Sequence, residues 1–149
     1  MKAQQGITLV ELIVALAITG VIITLLGTVI FQILKVSGYG NDQLIASHEL
    51  EYASFWFNFD GQQAVSANGS NALTLTLSDN STLTYTLSGN ELRRTAGSSY
   101  ITLARNITSV SFSVSGRVVT MSIIDTPTGG YGVSENGTYR VDLRARAAS

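Results

Sequence analysis

The sequence predicts an α+β fold in which one long N-terminal helix, apolar in its first half, packs on a C-terminal antiparallel β-sheet. Three observations predict it. Residues 12–34 are 23 consecutive positions without a charge. Residues 44–59 repeat large side chains every three or four positions, and from residue 73 onward apolar residues alternate with Ser and Thr. A half-buried sheet must cover its apolar face, and a helix over residues 41–60 is the covering element available in this chain.

The elements come in order along the chain. Residues 1–6, MKAQQG, are short and polar and carry Lys2. Residues 7–34 are expected to form the apolar helix; its uncharged stretch spans roughly 34 Å at about 1.5 Å per residue, enough to cross a hydrocarbon core about 30 Å thick. Residues 35–60 continue it as an amphipathic helix, with Leu44, His48, Tyr52, Phe55 and Phe59 forming the stripe expected to face the sheet. Asp60 and Gly61 are expected to stop the helix. Residues 61–149 form the sheet domain.

Within that domain the period is two. Leu73, Leu75 and Leu77 share a face, as do Leu83, Tyr85 and Leu87, with turns at Asp79-Asn80-Ser81 and Gly89-Asn90. Val110, Phe112 and Val114 are expected inward, then Val119, Met121 and Ile123, and finally Tyr139, Val141, Leu143 and Ala145. Between the last two strands, TPTGGYGVSENG holds the single proline and is expected to be a loop, with a turn at Asn136-Gly137-Thr138.

Composition excludes several function classes. Nine basic and ten acidic residues leave a net charge of -1, so no broad nucleic-acid footprint is implied. The five arginines from Arg105 onward are spread out and read as a solvated sheet face. Cysteine is absent, which removes disulfides and thiolate zinc sites. His48 is the single histidine, and no GxSxG-type elbow accompanies it. Asp79, Asp125, Glu135 and Asp142, with Asn136, are oxygen donors of the kind calcium takes, but their spacing matches no EF-hand. No cofactor is expected, and the chain is not expected to be an enzyme.

Glu11 is the residue that needs explaining. A secretory signal has an apolar run of about 7–15 residues followed by a small-residue cleavage site, and this run is longer and lacks the site. A plain signal anchor, with Lys2 inside and the sheet domain outside, leaves a carboxylate at the membrane-facing helix without a partner. Cleavage after Gly6 would create one, the free amine of Ile7.

On these residues the N-terminus resembles the type IV prepilins and the pseudopilins of type II secretion. The match runs through Gly6, Ile7, Thr8, Leu9, Val10 and Glu11 and extends in character through about Leu34. The resemblance implies a type IV pilin-like fold, cutting by a prepilin peptidase between Gly6 and Ile7, and methylation of the Ile7 amine. It also implies that Glu11 pairs with the terminal amine of a neighbouring subunit or of its own. Ile7 stands where phenylalanine is commonest in the family, and the helix lacks the proline many members carry. Contacts between helices would come from Ile13, Leu16, Val21, Ile22 and Leu25. The implied partners are the prepilin peptidase, other pilin or pseudopilin subunits, an inner-membrane assembly platform and, before assembly, membrane lipid.

The later segment LTYTLSGNELRRTAGSSYITLARNITSVSFSVSG is similar to minor pilins of the PilW type and to J-type pseudopilins. Leu92 and Arg94 (or Arg93) carry an L-x-R pair, and Leu103, Ala104, Asn106, Ile107, Ser109, Val110 and Phe112 carry the segment after it. This favours a minor over a major subunit. The alternatives are a major pilin subunit or a signal-anchored extracytoplasmic binding or adhesion domain, and a membrane-anchored enzyme is the alternative from a different class.

Overall fold

A computed structural model describes residues 8–127 and 133–145 of the chain. The chain divides into two compact units, Met1–Gly38 and Tyr39–Ser149. Helix α1, Leu9–Gln63, supplies the described structure of the first unit and opens the second. Of the expected processing positions, Gly6 and Ile7 lie outside the described residues, as does Arg146.

In the first unit, every described side chain through Ser37 is exposed. The three threonines that interrupt the apolar run satisfy themselves within the helix. Thr19, Thr24 and Thr28 donate their hydroxyls to the carbonyls of Ala15, Gly20 and Leu25 at 2.7, 2.8 and 2.7 Å. A hydroxyl bonded back to its own helix can enter an apolar medium without an orphaned polar group.

The second unit holds eight strands among the described residues: β1 Ala64–Gly69, β2 Leu73–Leu77, β3 Thr82–Ser88, β4 Glu91–Ala96, β5 Ser99–Ala104, β6 Ile107–Ser115, β7 Val118–Asp125 and β8 Glu135–Asp142. They form two antiparallel sheets, β1-β2-β3-β4-β5 and β6-β7-β8, where sequence patterning suggests a single one. The chain leaves the first sheet at Asn106, whose φ of 56° turns the backbone out of the β5 ladder. Backbone hydrogen bonds then join the sheets: Phe112 N–H to Ser70 O at 3.0 Å and Ile107 N–H to Asn90 O at 2.9 Å.

Two strands have no clear signature in the sequence. β1 carries only small or polar side chains apart from Val65, and β5 sets Tyr100 and Ile101 side by side at a sheet edge. The expected turn at 136–138 is a correction of the opposite kind. Asn136, Gly137 and Thr138 pair with Ile124, Ile123 and Ser122, because β7 otherwise has an unpaired edge. A Cβ at Gly137 would stand 2.6 Å from the Tyr139 ring, so a larger residue there makes that ring swing aside.

The inward strand positions are mostly where the alternation puts them. Leu73, Leu75, Leu83, Tyr85, Phe112, Val119, Met121, Ile123, Val141 and Leu143 are buried, Leu77, Leu87, Val110, Val114 and Tyr139 half-buried, and Ala145 exposed.

The helix face is a correction. Residues expected to cover the sheet are exposed: Leu44, Tyr52, Phe55 and Phe59 all at 47% or more, and His48 as well. The buried face is Asp42, Ala46, Leu50, Ala53, Phe57, Asp60 and Gly61. The sheet surface is already filled by Tyr85, Phe112, Met121 and the leucines, so it accepts a helix face in which the small residues Ala46, Ala53 and Gly61 alternate with Leu50 and Phe57. Gly61 shows how tight the fit is, since a Cβ there would run into the Val141 side chain.

One ion pair fixes that face. Asp60, in the last turn of a helix that runs to Gln63, is 1% exposed. Arg94 of β4 donates to it twice, Nε to Oδ2 at 2.5 Å and Nη2 to Oδ1 at 2.9 Å. Tyr85 of β3 donates its hydroxyl to Oδ2 at 2.5 Å. Burial and the Asp60 hydrogen bond together push the Tyr85 phenol well above its usual range, so it stays a donor. The Arg94 guanidinium lies 4.7 Å from the centre of the Trp56 ring. Replacing Arg94 by Met leaves Asp60 buried without its counter-charge, met by the Tyr85 hydroxyl alone. The expected loss is about 3–5 kcal/mol, read by denaturant unfolding of the full chain followed by circular dichroism.

Candidate functional site

The first candidate is the start of α1. Thr8 precedes the helix and its carbonyl accepts the first helical bond, from Leu12 N–H at 3.2 Å. The Glu11 carboxylate reaches back to Thr8, accepting from its backbone N–H and its hydroxyl through Oε2, each at 2.8 Å. Glu11 N–H in turn donates to Thr8 Oγ1 at 3.3 Å. This is a capping box, in which Thr and Glu three residues apart satisfy each other's orphan donors. The carboxylate is thereby drawn to the amide of the residue immediately after Ile7.

Thr8 is a residue that sequence reasoning about Glu11 misses. Its signal is present, because T-x-x-E ahead of an apolar run is a helix-start signature. Ile13, Leu16, Val21, Ile22 and Leu25 are 50–65% exposed in the single chain. Since α1 turns by about 100° per residue, these five are distributed around it and do not make one stripe.

The second candidate is the outward face of α1 in the second unit. Phe55 stacks on Phe59, ring centres 6.1 Å apart, and both meet Trp56 edge-on at 5.8 Å. Tyr52 meets the same indole edge-on at 6.4 Å. The result is a row of mutually packed rings, open on one side.

Other residues singled out in sequence are dispersed. His48 Nδ1 stands 3.9 Å from Glu51 on the helix surface. Asp79 holds its own turn, accepting from Ser81 N–H at 2.9 Å and Ser81 Oγ at 2.6 Å, and these bonds keep its carboxyl below the usual range. Asp142 lies opposite Val118, whereas Asp125 and Glu135 are paired across β7 and β8. Among the described residues no three His, Cys, Asp or Glu side chains are placed to hold a metal ion. Arg94 and Leu92 do have defined places: Leu92 is fully buried in the core and Arg94 pairs with Asp60.

Residues 1–27 match the family model of the prokaryotic N-terminal methylation motif. The chain carries a type IV pilin-like N-terminus. Its architecture agrees, with a long N-terminal helix whose later part packs on antiparallel sheet. No curated protein and no solved structure matches the chain. The pilin-like helix is also the described helix long and apolar enough to cross a membrane.

The two faces of α1 in the second unit predict opposite responses. Phe57→Ala, inside the core, should cost about 3–5 kcal/mol. Phe55→Gln, on the open row, should change stability by under about 1 kcal/mol. Denaturant unfolding of both variants distinguishes this helix orientation from the reverse one.

Proposed function

We propose that this chain is a minor subunit of a type IV pilus or a type II secretion-like pseudopilus. A prepilin peptidase removes residues 1–6 by cutting after Gly6, and the new Ile7 amine is methylated. The head unit lies outside the cytoplasmic membrane and the N-terminus inside, so α1 is held in lipid as a single span until assembly. The role is structural rather than enzymatic.

The observation that carries this reading is the methylation motif over residues 1–27 on a helix whose described apolar side chains through Val36 are all exposed. A helix apolar all round is stable in lipid or packed among like helices, and it can pass from one to the other without exposing new surface to water. Glu11 then supplies register, since a carboxylate in an apolar bundle is tolerated where a cation meets it. The Ile7 amine, one residue before the amide that the carboxylate already holds, is that cation, from the same or a neighbouring subunit. The open row of Tyr52, Phe55 and Phe59 extends the assembly surface into the head unit. A minor rather than a major subunit is favoured by the likeness of residues 83–116 to PilW-type and J-type proteins.

One observation favours the second reading, a signal-anchored binding domain. The Thr8–Glu11 capping box satisfies Glu11 within its own helix, so the carboxylate has a structural role even in an unprocessed anchor.

Co-expression with a prepilin peptidase separates the two readings. The wild-type chain should lose MKAQQG and gain one methyl group by intact mass, and Gly6→Ala should stay at precursor mass. An unprocessed wild-type chain would refute the proposal. Glu11→Gln should still be cleaved, but its incorporation into filaments should fall by about tenfold or more, as the loss of a desolvated charge pair implies. Quantitative immunoblotting of sheared filaments reads that loss.

A further inference from the structure

The end of the second unit where α1 meets β7 and β8 gathers carboxylates. Asp125 closes β7 and is fully buried, and neither of its carboxylate oxygens has a hydrogen-bond partner among the described residues. Its neighbours across the sheet are Ile107 of β6 and Glu135 of β8. From α1, Gln43 donates its side-chain amide to Glu135 Oε1 at 3.1 Å, and Glu49 accepts the N–H of Arg105 at 2.6 Å. Asp42, two turns before Glu49 on the same side of the helix, is 8% exposed, and its Oδ2 also lacks a partner.

A bare carboxylate out of water is costly, and such a group answers by binding a proton or a cation. Three acidic groups in ligand position would favour the cation, and the described residues present no such set. We propose that Asp125 is a proton-binding site that couples the head unit to pH: its neutral form seats the 42–49 segment of α1 on the β7–β8 end, and its charged form loosens that seat.

The groups facing Asp125 support this. Its carboxyl is pushed up to about 6, first by burial, then by the negative charges of Glu49 on α1 and Glu135 on β8. β6 offers the uncharged Ile107. The β5–β6 link offers Arg105, whose charge is felt by Glu91. The β7–β8 link brings no Asp, Glu, Lys, Arg or His between Asp125 and Glu135.

The sign is set by a carboxyl whose folded-state value is raised above its ordinary 3.8. Its favourable contribution is absent above about pH 6, grows as pH falls through that value, and is complete below the unfolded value near 3.8. Glu91 and Asp79 are shifted the other way, and their contributions fade only in stronger acid. A comparison of pH 5 with pH 7.5 therefore isolates Asp125, with His48→Gln as the control for the one histidine.

The test is thermal unfolding of the full chain in detergent micelles, followed by circular dichroism, with EDTA present and again with added calcium. The wild-type chain should melt about 5 °C or more higher at pH 5 than at pH 7.5. Asp125→Asn should melt high at both, with the difference abolished. Glu49→Gln and Glu135→Gln should each move the midpoint of the pH dependence downward. Equal melting of the wild type at both pH values, or an unchanged dependence in Asp125→Asn, overturns the proposal. So does a calcium-induced rise in wild-type melting that Asp125→Asn removes, because the site is then a cation site. If Asp125→Asn fails to fold, the Glu49→Gln and Glu135→Gln midpoints decide, and an unmoved midpoint in both counts against it.

Discussion

The buried carboxylate of Asp60 is the constraint on which the head unit depends. A charge that is almost wholly out of water has to be met, and Arg94 and Tyr85 meet it from two adjacent strands. Because Asp60 sits near the end of α1, this pairing sets the rotation of the helix on the sheet. Once Asp60 points inward, Phe57, Ala53, Leu50 and Ala46 must point inward too, as they lie one, two, three and four turns back along the same side. Tyr85 then touches Phe57 and Phe112 edge-on, linking the polar lock to the core and to the second sheet.

The same rotation has an outward consequence. Turning Phe57 inward turns Tyr52, Phe55 and Phe59 out, so three large aromatic side chains of the helix face solvent in the single chain. Exposed apolar surface gathered in one row is characteristic of a surface that another molecule covers. The first unit behaves alike, with apolar side chains exposed on all sides and hydroxyls folded back onto carbonyls. Both halves of α1 therefore present apolar surface suited to surroundings other than water, as the proposed role in a filament requires.

Much of this was legible in the sequence because it depends on local periodicity. The uncharged run, the Gly6–Glu11 spacing and the alternation in β2, β3, β6, β7 and β8 are patterns within single elements. The helix face was misread for the same reason. Large rings at three- and four-residue intervals look like a core stripe, and the sequence between them, Ala46, Ala53 and Gly61, looks like spacing. What decides between the faces is how much volume the sheet leaves, a sum over strands distant in the chain. β1 and β5 were illegible because edge strands need no apolar alternation; their partners make them strands.

By itself, then, the sequence determined the pilin-like N-terminus, the one long helix and the antiparallel character of the strands beyond it. Each rests on residues close together in the chain, whose spacing alone dictates helix, strand or helix start. The tertiary structure alone decided which side of the helix is buried, that the strands divide into two sheets, and that Asp60 and Asp125 are both buried, one paired and one without a hydrogen-bond partner among the described residues. Those outcomes depend on which distant groups share a space from which water is excluded. In that space, volume and charge must be balanced between residues that the linear order keeps apart.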